Sequence, residues 1–146
     1  METSSKSSRS SEHTIRRRVQ FHEVDSAGIV HFSNYFRFME EAEHALWRAA
    51  GLSIAAPDAA VGFPRVAAAF DYRRPLRFED EVDVRIHIAA ISRRTIRYAC
   101  TLAVGEAVAA EGTMTVVCVR MGIAPLEAVS IPEAIASRFE AVAGGA

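Results

Sequence analysis

The sequence predicts an α+β fold in which one long amphipathic helix lies against a five-stranded antiparallel sheet. Three observations point to it. Helical spacing of apolar residues runs from Ser33 to about Ala50. Four strand-like runs follow with no helix between them, and the links "SRR" and "GEA" between the last three suit hairpins. One apolar helix stripe facing one antiparallel sheet is a simple way to close a single core.

The elements follow in order. Ile15, Arg17, Val19 and Phe21 alternate with Arg16, Arg18, Gln20 and His22, which is the period of a strand with one largely polar face. The pattern then changes to helical. Tyr35, Phe38, Met39, Ala42, Leu46 and Ala49 form a stripe, with Arg37, Glu40, Glu41, His44 and Arg48 mainly off it. Ser33 suits the N-cap and Gly51 the left-handed terminator, which gives a rod of about 27 Å. After an Ala-, Pro- and Gly-rich loop come the runs 65–73, 81–91, 94–104 and 107–120. The last is apolar on both faces from Val116 to Val119, as expected of a strand covered on both sides. Ser130 and Glu133 have the spacing of a capping box for a short C-terminal helix.

The 146 residues fit a single domain at 14–146, preceded by a Ser-rich tail at 1–13 expected to be disordered. A net charge of −1 gives no cause to expect nucleic acid or an anionic membrane as partner. No run approaches the ~18 apolar residues of a membrane span, and the N-terminus has no apolar signal core. Cys100 and Cys118 have neither metal nor redox spacing and read as reduced core thiols of a cytoplasmic protein. A single five-stranded layer leaves two edges, so a homo-oligomer is expected.

The stretch "VDSAGIVHFSNYF" at 24–36 holds the candidate chemistry. Asp–Ser–Ala–Gly is turn composition, and on that ground Asp25 reads first as an acceptor for nearby amides. It also lies just ahead of the helix start, where amides from about Phe32 onward lack intrahelical partners and the helix dipole favours negative charge. Those amides could hold the oxygen of a polarised carbonyl, with Asp25 beside the carbon as nucleophile or general base. Gly28 would allow a close backbone approach.

The segment "EVDSAGIVHFSNYFRFMEEAEHALWRAAGL" resembles the hotdog-fold acyl-CoA thioesterases of the 4-hydroxybenzoyl-CoA thioesterase type. The matching positions are Asp25, Gly28, Ile29, Val30, Asn34, Tyr35 and Glu40. Downstream, "FDYRRPLRFEDEVDVRIHIAAISRRTIRY" is similar to the family's later strands, and the resemblance runs from about Arg16 to Arg120. It implies hydrolysis of an acyl-CoA thioester to a free acid and CoA, without metal or redox cofactor. It implies a homo-oligomer, a dimer or a tetrameric dimer of dimers. Asp25 would be the catalytic carboxylate and the Phe32 backbone amide the oxyanion donor. His31 is a possible assistant and Glu40 a reserve carboxylate, while Glu41 reads as a solvated neighbour.

Substrate contacts implied by the resemblance are Gly28, Tyr35, Phe63 at the acyl pocket, and Arg93 and Arg94 on CoA phosphates. The sequence departs from many relatives at His31-Phe32, where the Phe side chain offers no proton. The basic runs at 16–18 and 73–74 read as solvated strand faces. Glu40 and His44 have metal-ligand spacing but no third ligand, so no metal is expected. The competing reading is a non-catalytic hotdog module that binds acyl-CoA or an acyl-carrier protein.

Overall fold

A computed structural model describes residues 9–143. Its strands are β1 (Glu12–Arg18), β2 (Val61–Gly62), β3 (Arg65–Tyr72), β4 (Glu81–Ile91), β5 (Thr95–Val104), β6 (Ala107–Val117) and β7 (Val119–Arg120). The helices are α1 (Asn34–Ala49) and α2 (Glu133–Ala136). Five strands form an antiparallel sheet in the order β1-β4-β5-β6-β3, and β2 pairs with β7 separately. This is the hotdog arrangement that the sequence predicts.

Alternation decides which face of the sheet meets α1. Val82, Val84, Ile86 and Ile88 of β4 are buried, as are Ile96, Tyr98, Cys100 and Leu102 of β5, alternating with Asp83, Arg85 and His87 and with Arg97, Ala99 and Thr101. Against them α1 buries Tyr35, Phe38, Met39, Ala42, Leu46 and Trp47. Ala49, expected in the stripe, is exposed, and Glu43 lies within it instead. Gly51 ends the helix at φ +82°, the left-handed turn that its glycine accommodates. Gly112 leaves room for the Phe70 ring, which packs edge-on to Tyr35 and Phe36 at 5.9 and 5.1 Å.

Four local expectations are corrected. β1 begins at Glu12 and Ser10 bridges to Phe139, so 9–13 is not a free tail; residues 1–8 lie outside the described residues. β1 also ends at Arg18, where the chain turns into a 3-10 helix at Phe21–Glu23 because Gln20 and Glu23 cap each other. The last strand breaks at Cys118, and segment 128–131 pairs alongside it through Val129 N–H to Cys118 O and a Val119–Ala128 bridge. The expected Ser130–Glu133 capping box is absent: Pro132, with its fixed φ, precedes the single turn of α2 without a side-chain cap. Among the described residues no helix is long and apolar enough to cross a membrane.

Candidate active site

Residues 24–30 form a small hairpin closed by a Val24–Val30 bridge. Within it Asp25 Oδ1 accepts from the amides of Ala27 at 2.8 Å and Ile29 at 3.4 Å. Gly28 stands at φ +84° with nothing within 4 Å of where a Cβ would be, so the turn requires it for conformation, not for close approach. Oδ2 has no partner among the described residues. The Asp25 carboxylate is thus fixed through one oxygen and open at the other.

The loop that follows is anchored from beneath. The Arg17 guanidinium turns inward from β1 and binds the Glu23 carboxylate through two contacts of 2.8 Å, crossing the Phe38 ring at 4.0 Å. Burial pushes the Glu23 carboxyl up, but Arg17 and the Gln20 amide outweigh it and hold it below its ordinary value. The Glu23 carbonyl then accepts from the His31 amide and from Asn34 Nδ2, both at 2.9 Å. The motif asparagine therefore ties the start of α1 to the loop that carries Asp25.

At the helix start the cap expected of Ser33 is absent, and its hydroxyl is engaged by His31. The His31 Nδ1 lies 2.8 Å from Ser33 Oγ and accepts from the Ser33 amide at 3.3 Å, and the Ser33 side chain caps nothing. The Asn34, Tyr35 and Phe36 amides donate to the carbonyls of His31, Phe32 and Ser33. The sequence suggested open amides from Phe32 onward; among the described residues only the Phe32 amide in this run is without an acceptor. Tyr72, on β3, donates its hydroxyl to the Phe32 carbonyl at 3.1 Å.

Asp25, Val30, Phe32, Tyr35, Tyr72 and Arg74 line one crevice of about 450 Å³. Gly28 is on the adjoining turn and His31 is exposed beside it, stacked on Phe32 at 4.6 Å. The other candidate residues lie elsewhere in the chain. Glu40 faces Arg65 at 3.1 Å and His44 at 4.0 Å, outside the crevice. Glu41 is engaged by Arg17 at 2.7 Å. Phe63 packs on Trp47 at 5.1 Å and lines a different, apolar cavity of about 560 Å³ near the far end of α1. Arg93 and Arg94 occupy the β4–β5 hairpin, whose register puts them at the opposite end of the sheet from Tyr72. Among the described residues no cluster of three or more His, Cys, Asp or Glu has metal-binding geometry.

Three features were not anticipated. Tyr72 and Arg74 enter the crevice because β3 ends there and Pro75 turns the chain back. Glu43 is fully buried on α1 and meets Arg65 of β3. Its signal was legible: Glu43 is four residues from both Met39 and Trp47, on the apolar stripe.

Residues 19–139 match the family model described as the thioesterase-like superfamily. The chain belongs to the thioesterase-like superfamily. This is the class of thioester hydrolases that its motif resembles, and solved structures agree on the fold. A hypothetical protein of Aquifex aeolicus superposes with a TM-score of 0.82 at 30% identity, covering 88% of this chain and 99% of that one. A gentisyl-coenzyme A thioesterase superposes at 0.77 with 28% identity, covering 85% and 99%. A curated Aquifex aeolicus protein with a provisional esterase name is 38% identical over 84 residues, 57% of this chain and 66% of that one. The match to that relative spans just under two thirds of its length.

Proposed function

We propose that the protein is an acyl-CoA thioesterase that hydrolyses its substrate to a free acid and CoA, with Asp25 as nucleophile or general base. One observation carries this reading. Asp25, anchored through one carboxylate oxygen, and Phe32, whose amide has no acceptor among the described residues, line the same crevice. The similarity to a gentisyl-coenzyme A thioesterase supports a CoA thioester as substrate.

In this account the thioester oxygen accepts from the Phe32 amide, whose position at the start of α1 adds the favourable end of the helix dipole. Asp25 Oδ2 takes a proton from water as the water oxygen bonds to the carbonyl carbon. The C–S bond then breaks, and the thiolate recovers a proton as the acid leaves. Attack by Oδ2 itself, giving an anhydride that water opens, reaches the same products. Neither route uses a metal or a redox cofactor.

A second copy fits the placement of the remaining candidates. β3 bonds to β6 on one side only, and Val66 and Tyr72 on it are exposed. Antiparallel pairing of β3 with its own copy would bring the Phe63 end of one chain beside the Tyr72 end of the other. Phe63 would then close the acyl pocket from across the boundary, and Arg93 and Arg94 would approach from the same side. Glu40, paired with Arg65 outside the Asp25 crevice, has no part in this reading.

The test is Asp25→Asn, assayed for thiol release from a panel of acyl-CoAs. Asparagine keeps an oxygen for the Ala27 and Ile29 amides, so the turn survives while the base is lost. A variant as active as the parent would remove Asp25 from the mechanism.

A further inference from the structure

The basic pair at 73–74, expected on a solvated strand face, stands instead at the mouth of the Asp25 crevice. Both backbone amides donate to the Ala109 carbonyl, at 2.8 and 3.0 Å, and the Val30 amide donates to the Leu76 carbonyl at 2.8 Å. The segment is therefore tied to β6 on one side and to the loop carrying Asp25 on the other. Both side chains are exposed. Arg73 is engaged by Glu111 at 2.8 Å, whereas Arg74 has no acidic partner among the described residues.

An exposed guanidinium at the mouth suits a group that remains hydrated while the acyl part enters an apolar crevice. Phosphate is such a group, and arginine binds it through charge-assisted, paired hydrogen bonds. We propose that Arg74, with Arg73 beside it, forms a phosphate-binding rim that holds the thiol carrier of the substrate outside the crevice. The inference rests on the thioesterase reading for the carrier's identity. The phosphate can belong to CoA or to the pantetheine arm of a carrier protein, which share this chemistry.

The experiment is calorimetric titration of the full chain with free CoA, 4′-phosphopantetheine and pantetheine, none of which is hydrolysed. Arg74→Ala should weaken CoA binding roughly tenfold or more, Arg74→Lys should recover part of it, and pantetheine binding should not change. Equal losses toward CoA and 4′-phosphopantetheine assign the rim to the inner phosphate that a carrier protein also has. A loss confined to CoA assigns it to the nucleotide end. Unchanged CoA affinity in Arg74→Ala overturns the rim, as does an equal loss toward pantetheine. So does a loss that appears only in Arg93→Ala/Arg94→Ala. Thioester hydrolysis with an unaffected Arg74→Ala removes the rim and leaves the function. Arg74-dependent CoA binding without any hydrolysis does the reverse.

Discussion

Removing Arg65 should cost the fold far more than a surface arginine usually does. The Glu43 carboxylate is fully buried on α1, and the Arg65 guanidinium on β3 meets both its oxygens, one of them at 3.3 Å. Burial pushes the Glu43 carboxyl up, opposed by Arg65 and by the Tyr98 hydroxyl, which in turn accepts from Trp47 Nε1 at 3.0 Å. Arg65→Met takes away the guanidinium and leaves the buried acid with the Tyr98 hydroxyl and, at 3.9 Å, the half-buried His44 ring, and breaking a buried pair costs roughly 3–5 kcal/mol. Because the Arg65 side chain is 28% exposed, the lower end, about 3 kcal/mol, is expected. For a chain of this size that lowers Tm by about 10 °C.

The sign with pH follows from the raised carboxyl. In Arg65→Met the folded state binds the Glu43 proton more tightly than the unfolded chain does. Stability therefore rises as pH falls from the folded value toward the unfolded one, by up to about 1.4 kcal/mol per pH unit. Thermal unfolding followed by circular dichroism from pH 8 to 5, at fixed protein concentration, should show the gap to wild type closing toward acid. The double variant Glu43→Gln/Arg65→Met should recover much of the loss at pH 8, since no charge is then stranded. An Arg65→Met protein that melts with the parent at pH 8, or a double variant no better than the single, would refute the reasoning.

Three further outcomes follow from the same geometry. Tyr72→Phe leaves the Phe32 carbonyl with the Tyr35 amide, at 3.4 Å, as its remaining donor and should lower kcat about fivefold with KM nearly unchanged, the effect of about 1 kcal/mol felt only at the oxyanion amide; an equal rise in KM would contradict a positioning role. Gly28→Ala meets no steric obstacle at φ +84° yet should destabilise by about 1 kcal/mol through the left-handed backbone alone, read from a denaturant midpoint. Burial pushes the Cys100 thiol up to about 12 and raises that of Cys118. Both should resist alkylation at pH 8 in the folded protein and react once it is unfolded.

Periodicity carried the fold because both periods were clean. The alternation of Val82 to Ile88 and the stripe from Tyr35 to Leu46 assign the buried faces without any long-range knowledge. The errors fell where a local pattern has more than one physical solution. Ser33 satisfies a capping rule, but its hydroxyl is engaged by the His31 ring at 2.8 Å instead. Ser130 and Glu133 have the right spacing, but Pro132 between them starts the turn differently. In the site, composition identifies Asp25 as a turn acid, and the structure adds that one oxygen serves the turn while the other is left open. Tyr72, Arg74 and the Glu43–Arg65 pair were harder to read. Each depends on where β3 ends relative to α1, a tertiary fact that the spacing along either element does not contain.

The most direct measurement is the single-turnover rate of thioester cleavage by the parent protein and by Asp25→Asn, with CoA affinity measured alongside. The account predicts a fall of at least a hundredfold in the variant with CoA binding retained. Equal rates, or tight acyl-CoA binding by the parent with no thiol released from any substrate, would contradict it.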